Sequence, residues 1–308
     1  MTLQAIVLWG ANNIFSLRTV EPNPSDVEAR IKGKVLALTE DEHSPLAPGD
    51  VVELEITAEG NRIISRLDRR NRVFRWNRKR EKPQTIAANV DQLFIVASIL
   101  QPTLRPRFID RVLAMAELES VPAALIVNKH DLGAPSRQNA EYLQALEEVG
   151  YEVYTVSVKT GEGMTALSEV LRNRTTVLMG QSGVGKSSLI NQIYPEANQE
   201  TGTVSHRFNR GRHTTTTARR IIADGTTVLV DTPGVREFDL FAYDETEIAA
   251  GFREIRRYIP DCKMPSCTHT HEPDCAVRRA LAEGAIDETR YNSYTRIIDD
   301  LHRQGVYR

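Results

Sequence analysis

Cysteine is scarce in this chain: three in 308 residues, all between positions 262 and 275. An odd number confined to one short stretch argues against a disulfide framework and for a metal site. Long apolar runs are missing too. The longest, residues 93–100, spans eight residues even counting Ser98, whereas a membrane helix needs about 20. Residues 1–10 lack the basic start of a secretion signal, so a soluble, cytoplasmic protein without membrane contact is expected. Charge of one sign is also wanting. A formal charge of -2 and a pI near 6.4 give no bulk attraction for nucleic acid, so any such contact must rest on local patches.

What is present falls into three regions. Up to about residue 80 the chain reads as short strands, at residues 4–8, 27–31, 34–38 and 51–56, punctuated by Gly33, Pro45, Pro48, Gly49 and Gly60. Such a pattern predicts a small all-β barrel, of OB type first, although strand count alone does not separate it from an SH3-like one. Between Arg62 and Lys82 ten basic residues stand against two acids, with Phe74 and Trp76 among them. That mixture suits phosphate contacts with base stacking, or equally a solvated linker whose aromatics pack on the barrel. Residues 81–238 alternate apolar strands with helices: strands at 91–98, 123–127, 151–158 and 176–179, helices at 107–119, 137–149 and 186–193, and a hairpin over 219–231 turning at Asp224-Gly225. This alternation predicts a parallel sheet clad in helices, an α/β domain with its ligand loops at the carboxyl ends of the strands. Residues 239–308 read as mainly helical, with helices at 246–258, 276–283 and 288–303. About 70 residues make a small core that a metal would staple.

The phosphate-binding motif is Gly180-Gln181-Ser182-Gly183-Val184-Gly185-Lys186-Ser187, with Ser188 continuing the helix that begins near Lys186. It follows the apolar strand 176–179, the setting in which successive backbone amides surround a β-phosphate. Lys186 would reach the β and γ oxygens, and the Ser187 hydroxyl would bind Mg²⁺. Upstream, Asn128-Lys129-His130-Asp131 ends another strand, and Ser157-Val158-Lys159 ends a third. Asp131 is the expected reader of guanine: a carboxylate there accepts hydrogen bonds that adenine cannot supply, and a buried carboxylate left unpaired is costly. Lys129 would lie along the base and Asn128 would tie its loop to the Walker loop.

Downstream, Asp231-Thr232-Pro233-Gly234 ends the strand at 227–230, with Asp231 expected at Mg²⁺ and the Gly234 amide at the γ-phosphate. The next residue is Val235, where Ras-like GTPases carry a water-orienting glutamine. Valine cannot hydrogen-bond water. In the upstream loop Gly211-Arg212-His213-Thr214-Thr215-Thr216, Thr215 is a candidate Mg²⁺ ligand and His213 a candidate orienting group. His213 also reads as a plain surface-loop histidine. The motifs therefore run guanine loops first, Walker loop next and Asp-Thr-Pro-Gly last, an order rotated relative to ordinary GTPases. Finally, Cys262, Cys267, His269 and Cys275 supply three thiolates and one imidazole, a closed tetrahedral set for a structural Zn²⁺. His271 competes as the nitrogen ligand.

A basic barrel, a permuted nucleotide domain and this cysteine-histidine set together resemble the ribosome small-subunit-dependent GTPase A family. The resemblance implies a domain order of 1–80, 81–238 and 239–308. It implies GTP hydrolysis in late maturation of the small ribosomal subunit, binding to its rRNA, and strong stimulation by that subunit. It also favours His213 as the orienting group. A monomer alternating between GTP and GDP is expected. The competing reading from the nucleotide domain alone is a switch GTPase acting on a protein partner away from the ribosome.

Overall fold

The computed structural model describes residues 2–11, 13–20, 24–31, 42–195, 218–232 and 238–303. Its first five strands are β1 (Thr2–Ala11), β2 (Ile14–Thr19), β3 (Asp26–Ile31), β4 (Val51–Thr57) and β5 (Gly60–Arg66), closed into a barrel in the order β1-β2-β3-β5-β4. Closure comes from a short parallel pairing of β3 with β5, Arg30 opposite Arg62 and Ile31 opposite Ile63. Alternation of side chains along each strand sends Ala5, Val7, Leu17, Val52, Leu54 and Ile63 into the barrel, all fully buried. The expected OB-like barrel is present. The strand expected at 34–38 lies outside the described residues. β2 and β5 were not legible as strands because polar residues alternate with the apolar ones that fill the barrel.

The basic stretch departs from expectation. Arg72–Asn77 (β6) and Lys82–Ala88 (β7) form an antiparallel hairpin. A β-bulge between Val73 and Phe74 turns both inward, where each is fully buried. Phe74 packs against Tyr243 with ring centres 5.7 Å apart, and Trp76 meets Phe241 edge-on at 6.0 Å. Base stacking on Phe74 is thereby ruled out: its ring belongs to the protein core. Part of the positive charge is spent internally as well. Arg69 donates to Asp50 at 2.7 and 2.9 Å and to Glu42 at 2.7 Å, while Arg72 binds Glu119 at 3.0 Å.

Next comes a six-stranded sheet in the order β10-β9-β8-β11-β13-β12, made of β8 (Gln92–Ser98), β9 (Ala123–Asn128), β10 (Val153–Thr155), β11 (Thr175–Gly180), β12 (Arg219–Ile222) and β13 (Val228–Asp231). All pairings are parallel except the β12–β13 hairpin. β8 is buried along its whole length, as a strand covered on both faces must be. Its period of two divides the two cores. Leu93, Ile95 and Ala97 join one apolar cluster, with Val127 and Met179. Phe94 and Val96 join the other, with Ile126 and Leu178. Helices α1 (Pro106–Leu118) and α2 (Arg137–Glu148) cover the first face; α3 (Met164–Leu171) and α4 (Lys186–Ile193) cover the second. The strand expected over 151–158 pairs only at Val153–Thr155 before the chain turns into the loop that carries Ser157.

The carboxyl-terminal segment adds α5 (Glu245–Ala250), α6 (Arg253–Arg256), α7 (Ala276–Ala282) and α8 (Glu288–Arg303). The single helix expected over 246–258 is two. Gly251 packs so close to α1 that a Cβ there would lie 3.0 Å from the Ala114 carbonyl oxygen, and Phe252 is extended. These helices share the core of the sheet's first face: Ile248, Phe252, Val277 and Tyr294 join Ile109, Val112 and Val127 in one continuous cluster.

Arg290 of α8, 1 % exposed, fastens that joint. It donates to Asp110 of α1 at 2.6 Å and to Glu254 of α6 at 2.7 and 3.1 Å. Tyr142 of α2 donates to the same Asp110 oxygen at 2.6 Å. Removing one member of a buried ion cluster leaves its partners charged and unpaired. Arg290→Met is therefore expected to cost about 3–5 kcal/mol, read as a lowered urea midpoint. A change below about 1 kcal/mol would show that the cluster does not hold the helices together.

Candidate functional site

Four strand ends at the carboxyl edge of the sheet carry the nucleotide motifs. Pairing sets Gly180 beside Val96, Asn128 beside Ser98, and Asp231 beside Leu178. Gly180 ends β11 so near its neighbour that a Cβ would lie 2.2 Å from the Val96 carbonyl oxygen. Gly183 and Gly185 take φ of 84° and 101°, left-handed values that only glycine adopts without strain. Val184, between them, is 2 % exposed and roots the loop in the second core. Ser187 and Ser188 stand exposed in the first turn of α4.

Asn128 joins the loops. Its Nδ2 donates to the Val184 carbonyl at 2.9 Å, while its Oδ1 accepts from the Lys129 amide at 2.7 Å and from the Val158 amide at 3.3 Å. The amide presses so closely on the Walker loop that a Cβ on Gly185 would sit 2.3 Å from Nδ2. Lys129, itself left-handed at φ 64°, donates through Nζ to the Gly183 carbonyl at 2.7 Å and to that of Gln101. Gln101 is a contact that nothing in the sequence announces. Ser157, fully buried, donates to Asp131 Oδ1 at 2.7 Å, and Lys159 Nζ lies 3.7 Å from the other carboxylate oxygen. The serine hydrogen bond first, and the lysine charge after it, hold the Asp131 carboxyl below the usual range.

Lys186 is 8 % exposed and donates to the Gly180 and Gln181 carbonyls at 2.8 and 3.1 Å. Burial lowers its affinity for a proton, and nearby Asp231 partly offsets this. Burial likewise raises the Asp231 carboxyl, against the pull of Lys186. Asp231 Oδ1 is buried with no hydrogen-bond partner among the described residues. A buried carboxylate oxygen left over beside the Lys186 ammonium, at a strand end next to the one that carries the Walker loop, fits a divalent cation held with a nucleotide. His213, Thr215 and Gly234 lie outside the described residues.

A second cluster gathers Cys262, Cys267, His269 and Cys275, whose ligand atoms all lie within 4.8 Å of one another. His269 Nδ1 is 3.5 Å from both the Cys262 and Cys275 sulfurs, and those sulfurs are 4.0 Å apart. A tetrahedral zinc site has edges of about 3.5–3.8 Å, so this set fits such a metal. Of the two histidines, His269 is the one in the cluster. His271 is exposed and turned to the Thr270 hydroxyl at 2.9 Å. Glu272, unforeseen in the sequence, organises the knuckle by accepting from the Thr268 and Thr270 amides at 2.5 and 3.1 Å. Those bonds outweigh burial, the largest single influence, and hold its carboxyl down at about 2. From α8, Tyr291 and Tyr294 donate to the His269 and Thr268 carbonyls at 2.7 and 2.5 Å.

A Walker loop, an Asn-Lys-x-Asp loop and an aspartate at adjoining strand ends, threaded in rotated order through one largely parallel sheet, define a circularly permuted P-loop GTPase. The comparisons agree and go further. Residues 66–241 match the family described as RsgA GTPase. The chain is 40 % identical to the Small ribosomal subunit biogenesis GTPase RsgA of Borreliella burgdorferi, across 99 % of this chain and 98 % of that protein. It therefore belongs to the RsgA GTPase family. Among solved structures, YjeQ from Thermotoga maritima superposes with a TM-score of 0.74 at 28 % identity, covering 98 % of this chain and 99 % of that one. YloQ, described as a circularly permuted GTPase, shares the fold with a TM-score of 0.71 at 24 % identity, covering 99 % and 96 %.

Proposed function

We propose that this chain hydrolyses GTP during biogenesis of the small ribosomal subunit, binding the subunit through its rRNA. The observation that carries the nucleotide part is the Asn128 hydrogen-bond set, which brings the guanine loops onto the Walker loop. The ribosomal part rests on family membership and on the small-subunit biogenesis role in the name of the 40 % identical relative.

In this reading Asp131 accepts the N1 and N2 hydrogens of guanine, with Ser157 and Lys159 fixing its carboxylate, and Lys129 lies against the base. The amides of residues 180–188 enclose the phosphates. Lys186 exchanges its two carbonyl partners for the β and γ oxygens, which raises its hold on a proton in an otherwise desolvating site. Ser187 and Asp231 would hold Mg²⁺, joined by Thr215. The ion supplies charge neutralisation between the β- and γ-phosphates. Water attacks the γ-phosphate in line, and His213 orients it where Val235 cannot, while the Gly234 amide senses the γ oxygens. We further read the chain as a cytoplasmic monomer of three units, residues 1–80, 81–238 and 239–308. Among the described residues no helix is long and apolar enough to cross a membrane.

Because position 235 holds valine, which cannot orient water, turnover by the free protein is expected to be slow. Purified small subunits should raise it by orders of magnitude, the range seen when a stabilising group is supplied in trans, about 10³–10⁵. Equal GTP turnover with and without subunits would contradict the ribosomal assignment.

The cysteine cluster is assigned one structural Zn²⁺. Elemental analysis should return one zinc per chain for the native protein and a large loss for Cys267→Ser, with thermal stability falling alongside it. Full stability in zinc-free protein would overturn that assignment.

A further inference from the structure

A cavity of about 450 Å³ opens beside the Walker loop, away from the guanine loops, and arginine dominates its wall. Arg78 reaches it from the turn of the β6–β7 hairpin, Arg105, Arg107 and Arg111 from the start of α1, and Gln181 from the Walker loop. Two carboxylates, Asp239 and Asp300, also line it, so the wall carries two net positive charges. The arginines fall into two kinds. Arg78 grips Asp239 with two hydrogen bonds of 2.7 and 3.1 Å, and Arg111 donates to the Phe238 carbonyl at 3.2 Å, to Asp239 at 3.5 Å and to Asp300. Arg105 and Arg107 are exposed and have no side-chain partner among the described residues.

Other features add to the positive field. α1 begins with Pro106, has no acidic residue in its first turn and no side-chain cap at Arg105, so the partial charge of its first amides is uncompensated. Gln181 Nε2 is buried without a hydrogen-bond partner among the described residues. Exposed guanidinium forks, a helix start without a side-chain cap and an idle amide donor together match the oxygens of a phosphodiester.

We propose that this cavity seats a backbone phosphate of the RNA partner, with Asp239 as the internal counter-ion that the phosphate displaces from Arg78 and Arg111. The inference rests on the ribosomal reading above and adds to it the place on the nucleotide domain where RNA is held. It also sets RNA within reach of the Walker loop, since Gln181 belongs to both.

Two variants of the full-length protein test it in opposite directions, with binding to purified small subunits measured across a salt series and subunit-free GTP turnover as the check on folding. Arg105→Ala with Arg107→Ala should weaken binding by about tenfold or more and reduce the slope of log affinity against log salt by roughly one to two. Asp239→Asn removes the competing charge and should bind more tightly with a steeper slope. Unchanged affinity and slope in both variants overturns the proposal. So does weaker binding by the arginine variant at an unchanged slope, which would mark a protein contact rather than a phosphate. If the arginine variant loses subunit-free turnover, Asp239→Asn alone decides. Wild-type protein that fails to bind subunits fells the ribosomal reading and this inference together, whereas normal wild-type binding with indifferent variants sinks only the cavity.

Discussion

One side-chain amide holds the nucleotide site together. Asn128 closes β9 and spends its donor on the Walker loop and its acceptor on the two guanine-loop amides. The residues it joins are up to 56 positions apart in sequence, and rotation of the motif order means that no local segment could bring them together. Sheet order does so instead. β11 lies beside β8, β8 beside β9 and β9 beside β10, so the strand ends that carry Gly180, Asn128 and Ser157 fall on one edge. Gly185 follows from the same constraint: a side chain there would collide with the Asn128 amide. Positive φ and close approach thus demand glycine at one and the same position.

The sheet in turn is held between two apolar layers whose membership alternates residue by residue along β8 and β9. On one layer the carboxyl-terminal helices are no appendage; they complete the core over α1. Arg290 and its partners Asp110 and Glu254 fix their register there. Tyr291 and Tyr294 of the same helix reach on to the metal knuckle. The chain from nucleotide edge to cysteine cluster is therefore mechanically continuous through α1 and α8, while Phe74 and Trp76 of the β6–β7 hairpin pack onto Tyr243 and Phe241 of the same apolar core.

Much of this was legible in the sequence because it is local. Helices α4 and α8 begin and end where their periodicity and flanking residues place them, and the Asp224-Gly225 turn joins β12 to β13. The motifs name their own chemistry, and Asn128 meets the Walker loop as its position implied. What was not legible depends on tertiary contact. The bulge that buries Phe74 next to Val73 breaks the alternation that would have revealed β6. The close approach of Gly251 to α1 divides a helix that periodicity alone draws as one. Spacing left His269 and His271 equivalent; only the fold turns one of them into the cluster. Gln101 and Glu272 act through one carbonyl and one carboxylate in loops of no recognisable pattern, and only coordinates reveal such residues.

The central claim is that rotated motifs rebuild a single guanine-reading pocket around Asp131. The most direct measurement is nucleotide preference after Asp131→Asn, by titration calorimetry with GTP and XTP on protein whose thermal unfolding matches the wild type. An amide in place of the carboxylate should forfeit GTP by orders of magnitude and gain XTP, which presents the complementary acceptor. Unaltered preference for GTP would contradict the account, because it would mean that Asp131 does not read the base.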